Sequence, residues 1–334
     1  MIKTNLNSRK IIGRNLNQSI ILVLLIIVIS LFATLINPRF IRVTNLINIF
    51  QQISVLGIIA SGIGMLLISG EFDISVGSQV SLIGMILAMI IQKVGGLPEG
   101  SNPNGFNSSS IPLAIVVSCL VGIALGFING TTVIKSRAAS FIITLGFSSI
   151  YKGLALLLSG GASFMLFGKF ETVGRGRIMN YIPIAILFFI GVVVISHIIL
   201  SYSKYGRYLY AIGGNKKAAY VSGINTDRMT LTAYVMVGLL NAVAALILIS
   251  RVGSALATTG DAYTLDALAA VVVGGVAITG GEGSALSIFL GVVLIGLIGN
   301  ALVIMNVNPY LRDVVIGLII ITAVTISRIT SRRR

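Results

Sequence analysis

The sequence contains no tryptophan, one cysteine, one histidine, six prolines and only nine acidic residues among 334. Each scarcity excludes a class of chemistry. Cys119 lies alone in an apolar stretch, so no internal disulfide, metal cluster or dithiol cycle can form, and a small core residue is its expected role. His197 is equally solitary, which rules out a histidine-based nucleophile triad and a multi-histidine metal site. The nearest approach to a Walker A loop, residues 161–169, has the wrong spacing and no Ser or Thr after its lysine. ATP hydrolysis by that route is not expected of this chain. A membrane-embedded catalytic set would have to be drawn from Glu71, Asp73, Asp266, Glu282 and Asp313, and nothing in their spacing pairs them.

What is present is apolar. At 56% hydrophobic and 10% charged, the composition lies far from the roughly 45–50% and 25% of soluble domains. A helix needs about 20 residues to cross a hydrocarbon core about 30 Å thick. Runs such as 20–36 are continuous rather than alternating, which points to a helical bundle and away from a barrel. Apolar segments are centred near about residues 28, 57, 84, 122, 150, 191, 240, 273, 295 and 320. The expected fold is an all-α polytopic membrane protein of about ten transmembrane helices. Residues 1–17 form a basic cytoplasmic head, 18–327 a single transmembrane domain and 328–334 a basic tail. The first apolar segment has no small-residue cleavage pattern and is read as a retained helix.

The formal charge of +15 arises from 24 Lys and Arg. In a soluble protein this would suggest nucleic acid, but here the basic residues fall mainly between apolar segments. With the N-terminus inside, 15 of the 24 lie on the cytoplasmic side, following the positive-inside rule. Arg39, Arg42, Lys169, Arg175 and Arg177 fall outside and weaken the asymmetry. The nearly uncharged loop 95–110 suits the outer face.

Four local patterns stand out. Gly70-Glu71-Phe72-Asp73-Ile74-Ser75-Val76-Gly77-Ser78 interrupts an otherwise apolar stretch, predicting a broken or tightly turned helix pair. Asp73 could cap the helix that follows or face a solute path. Gly280-Gly281-Glu282-Gly283-Ser284 echoes it at a second junction. The echo suggests two related halves, parallel by the span count and inverted if one segment is re-entrant. Gly122, Gly126 and Gly130 recur at four-residue intervals, which suits close helix packing or a sliding contact. The segment 202–229 is polar. There Asn215 is suited to cap a helix over residues 216–222, and Gly223 to end it. Lys216 and Lys217 oppose the dipole at the start of that helix, so anionic lipid or an acidic partner is the better reason for them. Ala218 and Ala219 would admit a partner groove, although an ordinary interfacial helix would look similar.

These motifs carry a resemblance. Residues 70–78 resemble the Gly-Gly-Ile-Asp-Leu-Ser-Val-Gly-Ser element of ribose/xylose-type ABC transporter permeases, with Glu71 and Phe72 as departures. Residues 206–225 are similar to that family's Gly-Arg-x3-Ala-x-Gly-Gly-Asn-x2-Ala-Ala-x2-Ser-Gly-Ile-Asn loop, and 264–284 to its Leu-Asp-Ala element and glycine pairs, with Glu282 where Arg is common. The resemblance implies a two-repeat permease bundle in a bacterial or archaeal cytoplasmic (inner) membrane. It further implies a second permease copy or paralogue, two cytoplasmic ATP-binding subunits that hold the ATP and Mg, and an extracytoplasmic sugar-binding protein. No cofactor, metal or nucleic acid is implied for this chain. The ATPase-coupling residues would be Arg207, Gly213, Gly214, Asn215, Lys216, Lys217, Ala218, Ala219, Gly223, Ile224 and Asn225. The solute path or its gate would draw on Glu71, Asp73, Ser75, Gly77, Ser78, Gly280, Gly281, Glu282 and Gly283. Lacking tryptophan, the chain is not expected to grip a sugar tightly itself. The alternatives are a secondary transporter with Glu71, Asp73 or Asp313 as its ion-coupled carboxylate, and a membrane scaffold or receptor component without transport.

Overall fold

The computed structural model describes residues 2–97 and 106–332. The side chains of the basic head and tail, and residues 98–105 of the polar loop, lie outside the described residues. Among those described, helix is the only extended element. In chain order the helices are α1 (Ile2–Ile36), α2 (Val43–Ile68), α3 (Val76–Val94), α4 (Ser110–Ser136), α5 (Ser140–Ser159), α6 (Thr172–Arg175), α7 (Ile184–Tyr202), α8 (Lys204–Gly214), α9 (Lys216–Val221), α10 (Thr226–Val252), α11 (Asp261–Val273), α12 (Ala285–Ile304) and α13 (Pro309–Arg332). Two minimal antiparallel ladders join β1 (Phe164–Met165) to β4 (Ser254–Ala255) and β2 (Arg177–Ile178) to β3 (Ile182–Pro183).

Among the described residues, eight helices are long and apolar enough to cross a membrane: α2, α3, α4, α5, α7, α10, α12 and the Ser19–Ile36 part of α1. The other two expected segments correspond to α11 and α13. With 13 residues, α11 covers about 20 Å, short of a full crossing. The apolar run continues past its end through Val276 and Ile278, but Gly274 stops the helix and Gly275 turns the chain at φ 95°. Composition registers that run as one span, whereas the backbone breaks it.

α2 is the hub. Every residue from Ile53 to Ser69 is buried, as befits a helix that is apolar all round. α10, α11, α12 and α7 surround it. α4 lies against α10 at backbone contact: a Cβ on Gly126 would meet the Tyr234 carbonyl at 2.3 Å, and one on Gly238 would meet the Gly122 carbonyl at 2.0 Å. The glycine spacing of α4 therefore serves close packing. Large side chains of α1 and α5, among them Leu24, Val28, Phe141, Ile142 and Leu157, point outward as a lipid-facing surface would.

Two helix pairs are interrupted inside the bundle. Between α2 and α3 the chain turns at Gly70 (φ 81°) and runs extended, its amides satisfied by side chains of α5. Phe72 N–H donates to Ser140 Oγ and Ile74 N–H to Thr144 Oγ1, which meets the demand that buried backbone find partners. Between α10 and α11 the chain leaves the β1–β4 ladder and re-enters. The first turns of α3 and α11 then cross: Gly77 N–H donates to Thr264 Oγ1 at 3.0 Å and Gly260 N–H to Ser81 Oγ at 2.8 Å. From this crossing α3 runs toward the start of α4 and α11 toward the start of α12. The two interrupted pairs thus oppose one another in direction, as an inverted repeat does.

Candidate functional site

The patterned residues converge at the end of the bundle that carries α8 and α9. Ser203 caps α8 by accepting from Gly206 N–H, and Leu209 and Ile212 bury its inner face. Tyr210 donates its hydroxyl to the Gly283 carbonyl at 2.8 Å. Burial pushes that phenol up to about 12, so it stays a neutral donor at physiological pH. One helical turn further on, α8 meets the end of α2. A Cβ on Gly213 would lie 1.9 Å from the Ile68 carbonyl oxygen and 2.4 Å from Gly281 N. Gly281 N–H itself donates to that Ile68 carbonyl at 2.8 Å, satisfying one of the acceptors a helix leaves open at its C-terminus.

Gly70 and Gly280 complete the clamp. Both hold positive φ, 81° and 85°, a conformation that costs glycine little. A Cβ on Gly280 would meet Gly70 and Gly213 backbone atoms at 2.9 Å. The two junctions that echo one another in sequence are therefore in contact with each other and with α8. Glu282 accepts through its backbone carbonyl from Ala277 N–H, closing the loop between α11 and α12, and Ser284 and Ser287 form a reciprocal cap at the start of α12.

α9 is a separate short helix. Asn215 Oδ1 accepts from Ala218 N–H at 2.9 Å, and Gly223 (φ 86°) turns the chain so that Gly223 N–H and Ile224 N–H reach the Tyr220 and Ala219 carbonyls. Asn225 then caps α10 through Arg228 N–H. Ala219 packs inward, whereas Lys217, Ala218, Tyr220 and Val221 face outward, Val221 with 85% of its surface exposed. Arg207 is exposed on α8 and Gly214 has open space beside it. Arg137, Lys216, Lys217 and Tyr220 border a shallow basic concavity.

Lys216 also has a partner within the chain, because its Nζ donates to Glu71 Oε1 at 2.9 Å. The helix-dipole argument does not reach this contact, since the two residues are 145 apart in the chain. Lys216 is half-exposed and Glu71 nearly buried, so solvent screens the pair from the lysine side only. Reversing either charge alone is expected to lower the thermal midpoint of the protein, and Glu71→Lys combined with Lys216→Glu to restore it. Thermal midpoints of the two single variants and the double variant check this, and a double variant no better than the worse single would show that the pair holds nothing together.

Asp73 occupies a different environment. It is buried, and its Oδ1 accepts from Ser75 N–H (2.8 Å) and Ser75 Oγ–H (2.5 Å). Its Oδ2 accepts from Gln79 Nε2 and Asn129 Nδ2, both at 3.1 Å. Tyr151 donates to Asn129 Oδ1 at 2.6 Å, and Asn241 Nδ2 to Gln79 Oε1 at 3.0 Å. A polar web thus ties the α2–α3 junction to α3, α4, α5 and α10. Ser75 stands at the N-cap of α3 with its side chain turned to Asp73, while Ser78 Oγ meets Ser148 Oγ at 2.9 Å. The sequence reading missed Gln79, Asn129, Tyr151 and Asn241. Isolated amides within apolar spans were the available signal.

Comparison with known proteins finds relatives that match along most of the chain. A family model described as "Branched-chain amino acid transport system / permease component" matches residues 45–324. The chain is 36% identical over 310 residues to the ribose import permease protein of Bacillus subtilis, covering 92% of this chain and 90% of that one. It is 34% identical over 320 residues to the ribose import permease protein of Haemophilus influenzae, covering 94% of each. It is 32% identical over 324 residues to the galactose/methyl galactoside import permease protein of Escherichia coli, again covering 94% of each. No solved structure matches.

Proposed function

The chain belongs to the family of branched-chain amino acid transport system / permease components, and from that membership we propose that it is the membrane subunit of an ATP-driven importer for a monosaccharide. As a permease it is a transport subunit and not an enzyme. Relatives named for ribose and for galactose match along nearly the whole chain, which favours a pentose or hexose as cargo. A separate cytoplasmic subunit supplies ATP hydrolysis with its Mg, an extracytoplasmic binding protein delivers the sugar, and a second permease copy or paralogue completes the path across the inner membrane.

The observation that carries this reading is the clamp. α8 rests backbone to backbone on the end of α2 and on the loop that starts α12, and Lys216 at the start of α9 pairs with Glu71. Force applied to the outward face of α9 therefore reaches the α2–α3 junction and the loop between α11 and α12. Closure of an ATP-binding dimer would move that face, and the bundle would switch between outward and inward access. The basic concavity beside α9 suits an acidic partner surface.

Mass spectrometry of the proteins that co-purify from native membranes in mild detergent tests the reading. An ATP-binding subunit is expected with the wild type and is expected to be lost from the Ala218→Asp, Val221→Asp variant at equal permease abundance. If no ATP-binding protein appears while the permease oligomer is preserved, ion-coupled transport takes first place, with Glu71, Asp73 and Asp313 as the groups to titrate.

A further inference from the structure

At the end of the bundle opposite α8 and α9 lies a polar cleft of about 590 Å³, within the size range of small-molecule sites. One wall is the first half of α2 with Asn48, Gln52 and Leu56, and the other is formed by α11 and α12 with Tyr263, Asp266 and Gly299.

Most of its polar groups are already committed. Arg312 pairs with Asp266. Arg251 donates to the Gln51 and Gln52 carbonyls and to Tyr263 Oη, all at 3.3 Å, and Arg175 pairs with Glu171 and donates to the Arg251 carbonyl. Asn300 and Asn45 exchange amide hydrogen bonds, and Gln51 Nε2 donates to the Gly174 carbonyl. The exceptions are Asn48 and Gln52. They lie one helical turn apart on one face of α2, both exposed, and neither side-chain amide has a partner among the described residues. Two amides left open along a membrane helix would be costly against lipid, so they belong to water or to a polar solute.

We propose that this cleft receives the neutral, hydroxyl-rich solute on the side from which it enters, held by the free amides of Asn48 and Gln52. The proposal rests on the sugar-importer reading above and assigns it a binding site. Each amide offers both donors and an acceptor, the complement of sugar hydroxyls. The surrounding guanidinium groups are engaged with protein, which favours a neutral solute over an anion. With only two free groups and no tryptophan, the hold is weak enough to release cargo into the path.

Gly299 provides an independent handle. A Cβ there would meet only Arg312 Nε, at 3.5 Å, so a larger side chain fits the helix and fills the cleft. Uptake of radiolabelled D-ribose and D-galactose is measured in the native host, its chromosomal copy replaced by each variant, with permease abundance and co-purified ATP-binding subunit as controls. Asn48→Ala with Gln52→Ala is expected to raise the half-saturating concentration about threefold to tenfold, the effect of one or two lost hydrogen bonds. Gly299→Leu is expected to abolish uptake, with both controls unchanged. Wild-type uptake curves from both variants would overturn the cleft assignment while leaving the importer reading intact. A wild type that takes up neither sugar would overturn the monosaccharide reading, and the assignment with it.

Discussion

Replacing Gly213 by alanine is expected to abolish uptake and to destabilise the protein by about 3 kcal/mol or more, whereas Gly214→Ala leaves the stability unchanged. The two glycines are adjacent in sequence and similar in composition-based reasoning, yet their surroundings are opposite. A Cβ on Gly213 would penetrate the Ile68 carbonyl oxygen at 1.9 Å and approach Gly281 N at 2.4 Å, while one on Gly214 meets nothing within 4 Å. Overpacking against a flexible side chain can relax by rotation, but here both obstacles are backbone. One is the last carbonyl of the buried hub helix and the other is the amide bonded to it. Relief requires α8 to lift away, which opens the clamp joining it to the α2–α3 junction and to the loop between α11 and α12. The midpoint of thermal loss of monodisperse protein in detergent, read on a fluorescent fusion because the chain has no tryptophan, checks stability. Uptake in cells checks function. Equal behaviour of the two variants would mean that the contact at Gly213 holds nothing together.

The same contrast explains what the sequence disclosed and what it withheld. Features decided within a few residues were legible: the apolar helices, and α9 with Asn215 at its start and Gly223 at its end. The echo between residues 70–78 and 280–284 marked two turns that do meet, but the interrupted pairs that oppose each other are α2–α3 and α10–α11. Apolar composition does not encode direction, so one short helix, α11, left the parallel and inverted arrangements both open. Interactions between distant residues were out of reach for a different reason. Lys216 read as a charge for lipid or an acidic partner and Glu71 as part of the solute path, because the pairing between them depends on how α8 folds back onto α2. Gln79, Asn129 and Asn241 sit singly in separate helices and become a web only when α3, α4 and α10 are assembled. Asn48 and Gln52 are spaced to share a face, but the far wall of their cleft comes from residues more than two hundred positions later.

Asp73→Asn is expected to cost about 2–3 kcal/mol, and a second change, Asn129→Asp, to recover at least half of that loss. The argument is one of donors and acceptors. The Asp73 carboxylate receives four hydrogen bonds, two from Ser75, one from Gln79 and one from Asn129, and an ionised carboxylate accepts all four. An asparagine brings an NH2 group with two donors. Whichever way it is turned, it confronts either the Ser75 donors or the amides of Gln79 and Asn129, and burial leaves no water to resolve the conflict. Placing the carboxylate at position 129 inverts one of those contacts. That carboxylate would accept from the new amide at position 73 and would still accept from Tyr151, whose hydroxyl already donates to the Oδ1 of Asn129. Thermal midpoints of the wild type, both single variants and the double variant close a double-mutant cycle, for which residues sharing one hydrogen-bond network give coupling of about 0.5–3 kcal/mol. Uptake measured alongside separates two roles for the carboxylate. If the double variant regains both stability and transport, Asp73 acts by holding α3, α4 and α5 in register. If stability returns without transport, the charge must stand at position 73 itself, as a part in the solute path would require. Strict additivity of the two single losses would show that the web carries no joint stability and would overturn the prediction.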